Sequence, residues 1–364
     1  MSFQYSRWRA DSVTDSQRLE QLSSLFSYLM LRTSGDVEEA LEWLRHIAEQ
    51  YGIFDGEMSI EDLIEELKKM GVIEEVDGTY RLTSKGVRQI RQDSLREIFT
   101  SLRKGDTGAH DTPQTGGGVN RTSETKKWAF GDQPTNIDLT ATLTNAFRRG
   151  IDEFSLREDD LEVYETEHST SCATVLMLDI SHSMVLYGED RITPAKQVAL
   201  GLSELILQKY PRDFLALVVF GDDAKLVSLN ELPFLTVGPY HTNTRAGLQL
   251  ARQLLRRTGN TNKQIFMVTD GKPSAIIDDY GRLYKNSFGL DPRIVNKTLD
   301  EAVACRREKI TISTFMVARD PYLVNFVEEL TKSNQGRAYY SGLDDLGKFV
   351  FVDYIRNRKK KIGF

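Results

Sequence analysis

Apolar positions recur with helical spacing over residues 16–50. Leu19, Leu22, Leu25, Phe26 and Leu29 form one stripe and Ala40, Leu41, Leu44 and Ile47 another, so the spacing predicts two helices. Ser59-Ile60-Glu61-Asp62 then has the form of a helix cap and leads into a helix through Met70. Short strand-like runs at 72–75 and 80–82, separated by Asp77-Gly78, predict a β-hairpin, and a further helix resumes at Thr83 or Ser84. Between Lys104 and about Asp132 the pattern disappears: the chain is rich in Gly, Thr, Asp and Gln, includes Gly116-Gly117-Gly118, and reads as a flexible linker. Order returns at Asp138-Leu139 with a short helix through Phe147.

From Cys172 onward apolar strands alternate with amphipathic helices. Strands are expected at 173–178, 214–220, 264–269, 311–317 and 337–340, and helices at 194–209, 244–257, 295–308, 321–332 and 344–359. In the first of these helices Thr193 reads as the cap and Pro194 as the first helical residue, with Ala195, Val198, Ala199, Leu202, Leu205 and Ile206 on one face. Such alternation implies an α/β fold with a doubly wound, mostly parallel sheet. The expected organisation is a helical unit over 1–103, a linker over 104–136, a connecting segment over 137–170 and the α/β domain over 171–364.

The helix, hairpin, helix order of the N-terminal unit resembles a winged helix, a module often used on DNA. Charge argues against that use. The helix before the hairpin carries Glu61, Asp62, Glu65 and Glu66 against Lys68 and Lys69, and residues 1–103 hold 13 Lys and Arg against 19 Asp and Glu. The whole chain of 364 residues has a net charge of -6, which gives no general pull toward nucleic acid or anionic lipid. No apolar run approaches the roughly 20 residues that span a bilayer, and the polar N-terminal stretch does not read as a secretory signal, so a cytoplasmic protein is expected. Cys172 and Cys305 lack CxxC spacing and read as reduced thiols. The basic run Arg356, Arg358, Lys359, Lys360 and Lys361 reads as favourable charge at a helix C-terminus.

In an open α/β sheet the ligand crevice lies at the carboxyl ends of the strands. The first strand ends in Asp179-Ile180-Ser181-His182-Ser183, a second loop is Tyr240-His241-Thr242-Asn243-Thr244, and a third is Asp270-Gly271 after Ile265-Phe266-Met267-Val268. Hydroxyls and carboxylates without thiol or imidazole suit Mg²⁺, Mn²⁺ or Ca²⁺, with Mg²⁺ favoured where water fills the remaining positions.

These three motifs resemble the metal-ion-dependent adhesion site of von Willebrand factor A (vWA) domains, whose pattern is DxSxS, a Thr after the third strand, and Thr-Asp-Gly. The resemblance covers about 171–360 and implies that Ser181, Ser183 and Thr242 bind the metal directly while Asp179 and Asp270 hold it through water. The pattern departs from the family at Tyr240-His241, where glycines often precede the Thr. Neutral hydroxyls leave the cation's charge largely uncompensated, so it seeks a carboxylate from an acidic residue of a partner protein. His182 and His241 are expected at the rim of that contact. Asp222 reads chiefly as a solvated loop acid.

Outside the metal motifs, Tyr5-Ser6-Arg7-Trp8, Ala129-Phe130-Gly131-Asp132, Asp138-Leu139 with Ala146-Phe147-Arg148-Arg149-Gly150, and Glu162 with Glu165-Thr166-Glu167 resemble bacterial cytoplasmic vWA proteins. Those proteins are related to the magnesium chelatase D subunit and to the carbon monoxide dehydrogenase accessory factor. That resemblance implies a non-enzymatic adaptor working with a MoxR-type or chelatase-type AAA ATPase. The ATPase would be another polypeptide, because this chain has no GxxxxGK[ST] loop. The alternatives are a winged-helix DNA-binding regulator with a vWA sensor domain and, more remotely, a metal-dependent phosphatase with Asp179 as nucleophile. The phosphatase pattern needs a second acid where Ser181 stands.

Overall fold

The computed structural model describes residues 15–51, 59–104, 120–128, 137–149, 156–167, 171–270, 272–278, 280–286, 288–317, 321–340 and 346–358. Gly271 of the third loop, the glycine run 116–118, the motifs at 5–8 and 129–132 and the basic residues 359–361 lie outside the described residues.

The α/β domain is built on a six-stranded sheet. Its strands are β5 (Cys172–Asp179), β6 (Phe214–Phe220), β7 (Ala224–Val227), β8 (Asn262–Thr269), β11 (Ile310–Met316) and β12 (Arg337–Tyr340), in the order β12-β11-β8-β5-β6-β7. Every pairing is parallel except that of the edge strand β7 with β6, so the sheet is mixed but mostly parallel. The alternation of side chains along β5 shows how the two faces are made. Ala173, Val175 and Met177 enter one core with helices α7 (Thr244–Arg256), α8 (Pro292–Arg307) and α9 (Pro321–Asn334). Leu176 and Leu178 enter the other, with α6 (Ile192–Lys209) and α10 (Leu346–Arg358). The chain runs from β5 to β6 on one side and returns to β8 on the other, which places the reversal of strand order, and hence the ligand crevice, at the carboxyl ends of β5 and β8.

The N-terminal unit comprises α1 (Asp15–Arg32), α2 (Val37–Tyr51), α3 (Ile60–Lys69), the hairpin β1 (Ile73–Val76) and β2 (Thr79–Leu82), and α4 (Ser84–Lys104). Ser59 caps α3 in a capping box with Asp62, each side chain bonding the other residue's backbone N–H. Asp77 and Gly78 both have positive φ, 53° and 76°, as a type I′ hairpin turn requires.

Helix α6 corrects the sequence reading in two ways. It begins at Ile192, and the first-turn donor at Thr193 N is satisfied by Asp190 Oδ1 at 3.0 Å, so Thr193 is inside the helix and not its cap. Nor is one face alone buried: Lys196, Leu200, Gly201, Ser203 and Glu204 are buried as well. The reason is that α4 and α1 lie against the side turned away from the sheet. A Cβ on Gly201 would come within 2.8 Å of Ile98 Cδ1 and 3.3 Å of the Leu95 backbone, so glycine permits the close approach of α4. Arg91 Nε donates to Glu204 Oε2 at 3.1 Å, and Lys196 Nζ reaches Leu31 O at 3.0 Å, Ser34 Oγ at 3.2 Å and Pro233 O at 3.4 Å. Leu22, Phe26, Ile90 and Ile98 thus join Leu202, Phe266 and Phe351 in one continuous core.

The stretch 104–136 is corrected in part, because 120–127 form a strand, β3 (Asn120–Lys127), antiparallel to β4 (Glu162–Glu167), with α5 (Leu139–Arg149) between them in sequence. Strand β3 is uniformly polar. Its pairing rests on backbone hydrogen bonds and cross-strand contacts such as Thr125 Oγ1 to Glu162 Oε2 at 2.9 Å, and it leaves no apolar periodicity to read. Both cysteines are buried and outside any disulfide, and burial pushes the Cys305 thiol up to about 12.

Candidate metal centre

Three loops meet at the carboxyl ends of β5 and β8, joined pairwise by hydrogen bonds. His182 N donates to Tyr240 O at 3.1 Å, joining the first loop to the second. Thr269 Oγ1 donates to Asp179 Oδ2 at 2.6 Å, joining the third to the first. Thr242 N donates to Ser274 Oγ at 2.9 Å while Ser274 N and Ala275 N donate back to Thr242 O, joining the second to the third.

Asp179, Ser181, Thr242 and Asp270 are all buried, and Ser183 is half-buried. Both Asp179 oxygens are engaged, Oδ1 accepting from Ser181 N at 2.9 Å and Oδ2 from Thr269. The Ser181 and Ser183 hydroxyls converge to 3.1 Å. Among the described residues nothing hydrogen-bonds the Thr242 hydroxyl, although the residue is only 2% exposed. A buried hydroxyl without a partner costs free energy unless something outside the chain satisfies it.

The electrostatics have the same sense. Burial first, and the nearby Asp270 carboxylate second, push the Asp179 carboxyl well above the usual range. An Asp179 carboxylate whose charge is opposed in this way would be relieved by a nearby cation. Arg191 supplies part of that compensation, with Nη1 3.9 Å from Asp270 Oδ2, while its other nitrogens bond Glu189 Oε2. Among the described residues no three His, Cys, Asp or Glu converge, so the donors on offer are hydroxyls, two carboxylates and water.

At the rim, His182 is exposed and His241 half-buried. Asp222 holds His241: its Oδ1 accepts from His241 N at 2.7 Å and lies 3.1 Å from Nδ1, so the sequence reading of a solvated acid is corrected. Tyr240, which stands where glycines are common, folds its ring onto two glycines: a Cβ on Gly221 would meet the ring at 3.0 Å and one on Gly238 at 2.2 Å. Sequence reasoning misses Thr269, Ser274 and Arg191 as supports of the site. Thr269 can be found in the Thr-Asp-Gly motif, whereas Ser274 and Arg191 belong to no motif and are brought in only by the fold.

Comparison with known proteins places the fold. The model of the Rv0959-like protein, vWA domain, matches residues 172–355, and that of the Rv0959-like protein, third domain, matches 120–166, which brackets β3, α5 and most of β4. The uncharacterized proteins Rv0959 of Mycobacterium tuberculosis and Mb0984 of Mycobacterium bovis are each 31% identical over 360 residues, covering 96% of this chain and 52% of the relative. The chain therefore spans about half the length of these curated relatives. Among solved structures, the vWF domain of the pilus tip protein Mfa5 from Porphyromonas gingivalis is 14% identical with a TM-score of 0.44, covering 54% of this chain and 98% of its own. The PilB minor pilin from Streptococcus sanguinis is 14% identical with a TM-score of 0.42, covering 57% of this chain and 66% of its own. On the match over 172–355, this chain belongs to the Rv0959-like vWA family.

Proposed function

We propose that the chain is a non-enzymatic, metal-dependent protein-binding adaptor whose vWA domain captures an acidic residue of a partner through Mg²⁺. The observation that carries this reading is the buried Thr242 hydroxyl, without a partner among the described residues, at the same crevice as the converging Ser181 and Ser183 hydroxyls and the buried acids Asp179 and Asp270. Ser181, Ser183 and Thr242 would bind the ion directly. Asp179, both of whose oxygens already accept protein hydrogen bonds, and Asp270 would act through water, and the same oxygen set would accept Mn²⁺ or Ca²⁺. A cation held mainly by neutral oxygens keeps its attraction for an external carboxylate.

The proposal includes a separate MoxR-type or chelatase-type AAA ATPase as working partner and a cytoplasmic location. It rests there on the resemblance of the segments at 138–150 and 162–167 to the chelatase D-like proteins and on the two buried thiols outside any disulfide. Among the described residues no helix is long and apolar enough to cross a membrane. The exposed Glu61, Asp62 and Glu65 on α3 count against a duplex-binding role for the N-terminal unit.

The test is affinity capture from native lysate with Mg²⁺ or EDTA, comparing wild type with Asp179→Ala. An AAA ATPase retained by the wild type in Mg²⁺ alone supports the proposal; the same proteins in every lane defeat it.

A further inference from the structure

Directly after the third loop the chain forms a second hairpin, β9 (Ala275–Ile277) paired antiparallel with β10 (Leu283–Lys285). It is fastened to the metal centre itself. Ser274 N and Ala275 N both donate to Thr242 O, and Arg245 Nη1, from the helix that Thr242 leads into, donates to Ile277 O at 3.1 Å. Asn286 N donates to Ser274 O at 2.9 Å, so the chain returns to the same spot after the hairpin.

Two aromatic rings on this segment face solvent. Tyr280 is 82% exposed and Phe288 91% exposed, more than any other large apolar side chain of the described residues. Neither sits on slack chain. Tyr280 N donates to Asp278 Oδ1 at 2.9 Å in the hairpin turn, and Phe288 N donates to Asn286 Oδ1 at 2.9 Å, with Asn286 in turn bonded to the α8 cap Asp291. Phe288 is two residues from Asn286, so its backbone lies within about 7 Å of the Asn286 amide that bonds Ser274. An exposed aromatic ring on a backbone fixed by hydrogen bonds, beside the proposed ligand site, offers apolar area that a partner can cover.

Among the described residues the exposed charge on the same segment is basic. Arg282, Lys285 and Arg293 are exposed, whereas of the acids among the described residues Asp278 is taken up by the turn amides and Arg282, and Asp291 by the cap of α8, Asn286 and Tyr284. Asp279 lies outside the described residues. Across 275–288 Asp278 and Asp279 are balanced by Arg282 and Lys285, so in a chain with net charge -6 this segment is locally neutral, and it sits next to the proposed metal centre.

We infer that the 275–288 hairpin is a recognition arm for an acidic peptide segment of a partner protein: the segment's carboxylate reaches the metal, an adjacent aromatic or aliphatic side chain packs on Phe288 and Tyr280, and further acids meet Arg282 and Lys285. This rests on the proposed metal-dependent capture and adds the sequence class that is captured. The metal selects a carboxylate, and the arm selects its neighbours.

The probe is a displayed library of random peptides built around one fixed Asp, selected on the full chain in Mg²⁺. The wild type is expected to enrich an apolar residue at a constant offset from the Asp, together with additional acids. The double variant Tyr280→Ala/Phe288→Ala is expected to lose the apolar preference and about 10-fold in affinity for the selected peptides while still releasing them in EDTA. Arg282→Ala/Lys285→Ala is expected to lose the preference for additional acids. Mg²⁺-dependent peptides that show no positional preference, or that bind the aromatic double variant unchanged, would overturn the arm and leave the metal reading standing. Failure to enrich any peptide whose binding needs both Mg²⁺ and Asp179 would overturn both.

Discussion

The two surfaces of α6 that are not turned to its own sheet face opposite tasks. Along its length α6 is covered by α4 and α1 through an apolar seam with two buried polar pins, Arg91 to Glu204 and Lys196 to the Leu31 and Pro233 carbonyls. At its N-terminal end, Asp190 bonds the first-turn amide of Thr193, and the adjoining Arg191 looks onto loops where carboxylates and hydroxyls crowd together. In the seam these charged groups find their partners within the chain; at the loops the Thr242 hydroxyl has none among the described residues. The satisfied seam fixes geometry, and the unsatisfied end is where the proposed ligand would complete the structure.

The harshest way to break that comparison is to cut a pin. Arg91→Ala leaves Glu204, 4% exposed in its side chain, without its guanidinium partner, and is expected to cost about 3–5 kcal/mol in urea unfolding. The loss should appear in one cooperative transition, because the seam is part of the sheet's own core; two separated transitions would mean that the N-terminal unit is a detached domain. Mg²⁺ affinity should be unchanged.

Lys196 gives the next largest effect, through pH. Burial lowers its pKa to about 8, against about 10.4 for an unfolded lysine. A lysine with a depressed folded pKa penalises the fold while it is protonated in both states, and the penalty is relieved as pH rises from about 8 to about 10.4, where the unfolded chain binds the extra proton. The stability of wild type relative to Lys196→Met should therefore climb by about 3 kcal/mol over that window. A flat difference would show that the three oxygens around Nζ keep the ammonium charged.

How much of this was legible in the sequence divides along the same line. The parallel strands were readable because burial on both faces makes them continuous apolar runs, as in 173–178, and the three ligand loops followed once the strand ends were located. The seam was not, because a one-dimensional pattern shows that Leu200 and Gly201 are apolar or small but not that a second helix covers them. The start of α8 is carried by Asp291-Pro292, a cap followed by a first-turn proline: Asp291 Oδ1 accepts from Arg293 N at 2.8 Å, and the helix starts at Pro292 and not at 295. Strands β3 and β7 leave little to read, since β3 is uniformly polar in sequence and the edge strand β7 buries no residue fully.

At the open end the expected effect comes from ligand and not from mutation alone. Mg²⁺ at about 100 times its dissociation constant should stabilise the wild type by about 2.7 kcal/mol in thermal or urea unfolding and leave Asp179→Ala unmoved. Removing the acid without metal should itself cost about 1–3 kcal/mol, because the Ser181 amide and the Thr269 hydroxyl lose their buried acceptor. Equal stabilisation of both proteins by Mg²⁺ would place the ion elsewhere.

The smallest expected effect sharpens the limit of the seam. Ser59→Ala removes the α3 cap, whose side chain accepts from Asp62 N at 3.2 Å, at a cost of about 1 kcal/mol. Helix α3 lies farther out than α4 but buries Ile60, Leu63 and Leu67 in the core that α6 shares, so the loss is expected in the global unfolding midpoint. Amide exchange decides the matter: if the cap loss speeds exchange only within α3 and leaves the midpoint unchanged, α3 opens on its own and the cooperative layer ends at α1 and α4.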